Sequence, residues 1–357
     1  MHIDYLSIEN LRNIKFAELS PNRNINIVVG KNGAGKTSIL ESIYLLARAR
    51  SFRQKTRGRL INEKADKLNL FARLETSDNT KHKIGLEQRS NQITIRKDGE
   101  NLQKLSFLAK ALPLTIITPN IQRVVEEEPE HRRRMINWGM FHVEHGYGDL
   151  VRNYKKALLQ RNNALRGSRD QIKVWDGQII DLGSAIHQRM LAYTSQWNES
   201  LSQMVDSLDM IKPITLELKK GWKENLTFSE ALERNLKLDQ ERGFSSCGPH
   251  RSDIRILQNG VSVKHQFSRG EAKIVAVLML LSQTRITQLS TGESPVLLVD
   301  DLHSELDSER YEKIVSLIYG QGLQSFITTL NRGNLENIPD AGDCTMFHVE
   351  HGCLKMN

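Results

Sequence analysis

The chain of 357 residues is long enough for two domains, or for one large domain carrying an insertion, and its 39% hydrophobic and 26% charged residues are ordinary for a soluble globular protein. No run approaches the roughly 18 to 20 apolar residues of a membrane span, and MHIDYLSIEN has neither a basic leader nor an apolar signal core, so a cytoplasmic protein without membrane contact is expected. Three cysteines, Cys247, Cys344 and Cys353, are an odd number without ligand-like spacing and fit a reducing cytosol better than a disulfide framework, while the net charge of +8 leans towards polyanionic partners.

In chain order, HIDYLSIENL alternates and INIVV runs apolar in the manner of strands, the second leading into a Gly-rich turn and the helical pattern TSILESIYLLARAR. Residues 68 to 98 hold short alternating stretches closed by turn-like Ser-Asp-Asn and Asp-Gly, which predicts an antiparallel sheet. From Pro129 to Ile211 the period becomes helical. Ile186, Met190, Tyr193, Trp197, Leu201, Met204 and Leu208 fall on one stripe of a long helix, and Leu150, Tyr154, Leu158 and Leu165 could form the other arm of a hairpin, across a loop containing Gly167 and Gly177. After Pro213 strand-like alternation resumes, and from Asp253 strand, turn, helix, strand, helix and strand follow. The expected architecture is a discontinuous α/β domain interrupted by a helical lobe.

Basic residues cluster in three places: Arg48, Arg50, Arg53, Lys55, Arg57 and Arg59; Arg132 to Arg134; and Lys155, Lys156, Arg161, Arg166, Arg169 and Lys173. Each run reads equally as a solvated face or as a phosphate-binding one. MFHVEHG occurs at 140–146 and again at 346–352. Its histidines are three apart, with the glutamate between them, which is not the order of a zinc protease helix, and the second copy reads as a strand with Phe347 and Val349 inward.

GKNGAGKT, residues 30–37, matches G-x-x-x-x-G-K-[ST] in full between a predicted strand and a predicted helix. Gly30, Lys31, Asn32, Gly33, Ala34 and Gly35 would curl so that backbone N–H groups face a phosphate, with the helix N-terminus adding its partial charge. Lys36 would reach the β and γ phosphates of a nucleotide such as ATP, and Thr37 would offer its hydroxyl to Mg²⁺. PVLLVDD, 295–301, reads as a buried strand delivering acids at its C-terminal end. Asp300 is then the Mg²⁺-side carboxylate, and Asp301 orients or deprotonates an attacking water. FSRGEAK, 267–273, opens a second helix; Ser268 and Glu271 form a capping box, and a two-fold dimer could bring Ser268, Arg269 and Gly270 to a nucleotide held by another copy.

A phosphate loop, a serine-containing signature before an apolar helix, an acid-ended strand 32 residues after Ser268 and then SELD at 304–307 resemble the ABC-type ATPase heads of the SMC and Rad50 kind. ENLRN at 9–13, ARSFR at 49–53, VWDGQIIDLGSAIHQR at 174–189, GPHRSD at 248–253 and LLVDDLHSELD at 297–307 make the chain more closely similar to the RecF family of bacterial DNA replication and repair proteins. The resemblance implies an ABC-type P-loop ATPase head built from 1–125 and 212–357, with 126–211 as an inserted helical lobe. It also implies a weak, DNA-stimulated ATPase acting as a switch in the DNA-damage (SOS) response. By the same resemblance, an ATP-dependent homodimer binds single-strand–double-strand junctions and gapped DNA and, with RecO and RecR, helps load RecA. Ser268, Arg269 and Gly270 would contact the γ phosphate held by the partner subunit, Asp307 would lie at the dimer interface, and Arg12 would approach the nucleotide.

The chain departs from the family pattern at Ser252, where a second acid is common, and at EEEPEHRRR, 126–134, where a glycine-rich stretch would precede the basic pair. Asp301 stands where transporters carry glutamate, and ITTLNR, 327–332, offers Thr328 and Thr329 in place of their switch histidine, with roles the sequence leaves open. Alternatives are an ABC-type transporter ATPase subunit, a metabolic P-loop kinase, and a DNA clamp that binds ATP without hydrolysing it.

Overall fold

Two six-stranded sheets in one part of the chain, and a helical assembly with a three-stranded sheet in the other, make up the computed structural model. It describes residues 1–53, 60–90, 92–102, 105–167, 169–208, 210–264, 266–330 and 344–356. Lys55, Arg57, Arg59, the side chain of Arg169, and Asn331 and Arg332 of the ITTLNR string lie outside the described residues. The chain divides into two compact units, Met1–Ile121 with Thr287–Asn357, and Gln122–Ile286.

In the first unit the antiparallel sheet runs in the order Ile14–Leu19, His2–Leu11, Lys67–Glu75, Lys81–Arg89, Gln92–Lys97, Glu100–Asn101. The strands foreseen between 68 and 98 are all present, because alternation puts Leu68, Leu70, Ala72 and Leu74 on one buried face. The other sheet has five parallel strands, Cys344–Glu350, Ile25–Val29, Ser325–Thr329, Val296–Val299 and Leu114–Ile117, with Cys353–Met356 antiparallel at one edge. All five residues of Ile25–Val29 are buried, as a central parallel strand covered on both faces must be. Phe347 and Val349 point inward as read.

Helix Lys36–Arg48 joins both sheets in one apolar core. Ile39, Leu40, Ile43 and Leu46 share it with Leu6, Leu70 and Ile84 of the antiparallel sheet and with Val28, Leu298, Phe326 and Phe347 of the parallel one. Burial of each such side chain is worth about 1.5–3 kcal/mol, so the helix carrying the phosphate motif is held from several sides.

In the second unit, helix Tyr147–Ala164 packs against helix Arg169–Leu208. Six of the seven stripe residues are buried and Leu208 is half-buried. The loop between these helices is shorter than expected: Gly167 lies in it, but Gly177 falls inside the long helix. A glycine there costs about 1 kcal/mol, which full burial of Ile172 and Ile179 on either side offsets. The small sheet has the order Val261–Ser262, Asp253–Gln258, Ile214–Lys219, and the helix Arg269–Thr291 begins in this unit.

Two arginines from the basic runs are committed to the interior of this unit. Arg161, fully buried, donates from Nε to Asp176 at 2.7 Å and from Nη1 to Asp239 and Ser245, each at 2.8 Å. Arg132 forks onto both oxygens of Asp253, at 2.8 and 3.0 Å, and donates to the carbonyls of Val124 and Glu127. Neither presents its charge to a polyanion, whereas Lys155, Lys156, Arg166 and Lys173 are exposed.

In the GPHR string Gly248 and Pro249 are buried, while Arg251 is exposed. Gly248, at φ 134°, has no room for a Cβ, which would lie 2.6 Å from the Tyr154 hydroxyl. That hydroxyl bonds His250 Nδ1 at 2.8 Å, and His250 Nε2 meets the Ser245 carbonyl at 3.2 Å. A carbonyl only accepts, so the ring proton sits on Nε2 and Nδ1 accepts from tyrosine.

Candidate nucleotide site

The phosphate loop links strand Ile25–Val29 to helix Lys36–Arg48. Its curl depends on glycine at Gly33 and Gly35, with φ of 77° and 119°, in the left-handed region. At Gly30 the reason is space, since a Cβ would stand 2.4 Å from the Val349 carbonyl oxygen. The first N–H groups paired in the helix are those of Ser38 and Ile39, both onto the Gly35 carbonyl, so the N–H groups at the very start face the loop's concavity as an anion site.

Lys36 folds over this loop, its Nζ donating to the carbonyls of Gly30 at 2.6 Å and Lys31 at 3.2 Å. Burial lowers its pKa from the usual lysine value, opposed by the charges of Asp301 and Asp300. Thr37 Oγ1 donates to Asp300 Oδ1 at 3.0 Å, which joins the loop to the end of strand Val296–Val299. Asp300 is 6% exposed; burial raises its pKa, and the hydroxyls of Thr37 and Thr328 oppose that rise. Asp301 next to it is exposed, in a left-handed conformation at φ 47°.

Two hairpin tips brace the loop from outside. At the turn between His2–Leu11 and Ile14–Leu19, Asn13 Nδ2 donates to the carbonyls of Gly33 and Ala34, each at 3.1 Å. At the turn between Cys344–Glu350 and Cys353–Met356, Gly352 N–H donates to Ala34 O at 2.8 Å. Arg12, at φ 56°, forks from Nε and Nη2 onto Glu41 at 2.9 and 2.8 Å. Glu41 is wholly buried on the phosphate-loop helix and also meets Ser51 and, at 3.9 Å, Arg53.

Together these groups bound a cleft of about 290 Å³. Of the residues singled out in the sequence, Arg12, Lys31, Asn32, Gly33, Ala34, Gly35, Lys36, Thr37, Asp300 and Asp301 line it, and Gly30 begins the loop. Asn13, Arg53 and Thr328 line it as well, without having been assigned to it. Arg53 lies in a basic run and in the ARSFR string, and Asn13 in the ENLRN string.

Ser268, Arg269 and Gly270 belong to the second unit. There Ser268 closes the capping box: Glu271 N–H donates to Ser268 Oγ at 3.3 Å, and Glu271 Oε2 accepts from the Ser268 N–H at 2.9 Å and hydroxyl at 2.7 Å. Asp307 is an N-cap, accepting the Arg310 N–H at 2.8 Å. Among the described residues no cluster of three or more His, Cys, Asp or Glu side chains could hold a metal, and no helix is long and apolar enough to cross a membrane.

The donor set fits a phosphate tail with a hard cation: a glycine cradle, the Lys36 ammonium, and a hydroxyl and carboxylate already side by side. Mg²⁺ keeps several waters and needs only one or two protein oxygens beside the phosphates. Thr37 Oγ1 and Asp300 Oδ1 are the oxygens that would hold it.

The sequence profile of the RecF/RecN/SMC N terminal domain matches residues 2–355. The DNA replication and repair protein RecF of Shewanella oneidensis is 34% identical over 355 residues, covering 99% of this chain and 98% of that protein. That of Vibrio parahaemolyticus is 32% identical over 360 residues and covers both chains in full. Among solved structures, the recombination mediator protein RecF-ATPrS of the RecFOR pathway superposes with a TM-score of 0.85 at 26% identity, covering 99% of this chain and 98% of that one. The Smc head domain of Pyrococcus furiosus, at 14% identity and a TM-score of 0.62, covers 100% of this chain and 96% of its own and shares the fold.

Proposed function

The chain belongs to the RecF family within the RecF/RecN/SMC group, and on that premise we propose that it is an ATP-dependent DNA-binding protein of replication and recombinational repair. The relatives are named for DNA replication and repair, and a solved relative carries an ATP analogue in its name. The observation that carries the reading for this chain is the bond between Thr37 and Asp300 at 3.0 Å, which brings phosphate loop and acid-ended strand to one cleft. The transporter alternative finds no support among these relatives.

In this reading the glycine loop and helix N-terminus hold the phosphates, and Lys36 exchanges the carbonyls of Gly30 and Lys31 for phosphate oxygens. Mg²⁺ held by Thr37 and Asp300 would neutralise charge on the phosphates. Asp301 orients a water and takes its proton. Aspartate is one methylene shorter than glutamate, which suits the slow turnover of a switch. The ABC-type head comprises 1–125 and 212–357, the helices of 126–211 forming an inserted lobe.

Two copies close on ATP, with Ser268, Arg269 and Gly270 of each capping the γ phosphate held by the other. Since Ser268 already serves its own helix cap, that contact requires the hydroxyl to leave Glu271 or to share it. The dimer binds gapped and junction DNA, single- and double-stranded, through phosphate contacts, and acts with RecO and RecR to load RecA.

Nucleotide binding and hydrolysis by Lys36→Ala and Asp301→Asn test the reading. Lys36→Ala should lose ATP binding; Asp301→Asn should keep it while hydrolysis falls by about 10²-fold. DNA affinity should drop steeply between about 50 and 200 mM salt. Hydrolysis by Asp301→Asn at the wild-type rate, or salt-insensitive DNA binding, would contradict it.

A further inference from the structure

Thr328 lies near the end of strand Ser325–Thr329, and its side chain connects both acids of the cleft. In the parallel ladder Val299 is opposite Ile327, so the next residues along, Asp300 and Thr328, face one another where the two strands end. The Thr328 hydroxyl donates to Asp300 Oδ1 at 3.0 Å and accepts the Asp301 N–H at 2.9 Å. Thr328 is 3% exposed, so water does not readily replace either bond.

Each bond has a distinct consequence. The first, with the matching bond from Thr37, puts two hydroxyls on Asp300 Oδ1 and fixes the rotamer of that carboxylate. The second holds the backbone of Asp301 at φ 47°, a conformation that a residue with a Cβ adopts only when its surroundings impose it. The neighbouring strand also reaches the phosphate loop, since Gly30 N–H meets the Thr329 carbonyl at 3.4 Å. A single hydroxyl thus sets the metal-side acid and the water-side acid relative to each other.

We propose that Thr328 is a positioning residue for the metal-dependent half of the site, the hydroxyl that holds Asp300 and Asp301 in register. This rests on the nucleotide reading above. It acts through the two acids, so it governs how tightly Mg²⁺ is held with the nucleotide and how Asp301 is aimed, while the metal-free hold of loop and lysine on phosphate is independent of it.

The test uses the full chain and the variants Thr328→Val, which keeps shape and removes the hydroxyl, and Thr328→Ser, which restores it. ATP affinity is measured by calorimetry with EDTA and across a Mg²⁺ titration. Backbone exchange of the segment containing Asp301 is followed without nucleotide. Thr328→Val should need about tenfold more Mg²⁺ for half-maximal tightening, the scale for loss of a group that orients a metal ligand, with ATP affinity in EDTA within about twofold of wild type. The Asp301 segment should exchange faster in Thr328→Val and at the wild-type rate in Thr328→Ser.

An unchanged Mg²⁺ requirement in Thr328→Val overturns the proposal. So does an equal loss of ATP affinity with and without Mg²⁺, which would leave Thr328 a packing role, and so does failure of Thr328→Ser to restore the wild-type values. Absence of ATP binding by the wild type would instead overturn the nucleotide reading beneath it.

Discussion

His250 of the GPHR string should be neutral throughout the physiological range, and replacing it should remove a defined part of the protein's acid sensitivity. Burial lowers its pKa from 6.5 to about 4, with the nearby charges of Arg251 and Arg133 acting in the same direction and the Ser245 carbonyl opposing them. A depressed folded-state value means that the unfolded chain binds more protons between these limits. The stabilisation is therefore fully present above pH 6.5 and is lost as pH falls through about 4. The drop from 6.5 to about 4 corresponds to about 3 kcal/mol at most. His250→Gln keeps a donor and an acceptor and does not titrate. Urea unfolding of both proteins at several pH values should show the variant less stable at pH 7.5 by about 1–2 kcal/mol, with the gap closing and then reversing as pH falls towards 4. Parallel stability profiles for the two proteins, or an NMR titration of the His250 ring with its midpoint above pH 6, would refute this.

Gly30→Ala should force the Val349 carbonyl away from the loop, against a 2.4 Å contact, lowering stability by about 1–3 kcal/mol and weakening ATP binding in a calorimetric titration. Arg161→Met leaves the fully buried Asp239 without its cation and should cost about 3–5 kcal/mol in chemical unfolding, whereas exposed Lys156→Met should cost less than about 0.5 kcal/mol. Glu41→Gln puts an amide N–H against the Arg12 fork and should lower stability by roughly 2 kcal/mol, seen as a drop in the thermal midpoint.

What could be read from the sequence was what depends on neighbours along the chain. The strands between 68 and 98, the Ile186 to Met204 stripe, the phosphate loop and the Ser268 capping box are each specified by residues a few positions apart. Strand Leu114–Ile117 is four residues long and takes its place from Val296–Val299, far downstream, so no local period announces it. The same holds for the cleft wall: Asn13 reaches Ala34, and Gly352 reaches the same residue from near the other end of the chain. Thr328 acquires its role only when register sets it beside Asp300. Charge counting failed for a different reason, since Arg132 and Arg161 look like their exposed neighbours until their acid partners, half-buried Asp253 and buried Asp239, are located. Gly177 misled because its helix-breaking tendency is smaller than the burial gained on either side of it.

Sedimentation of the wild type and Ser268→Arg, each saturated with ATP and Mg²⁺, with and without gapped DNA, bears most directly on the claim that nucleotide joins two copies. The wild type should become a dimer only with ATP and bind DNA as such, while Ser268→Arg should bind ATP and stay single. A wild type that occupies DNA as a single chain with its nucleotide site full would contradict the account.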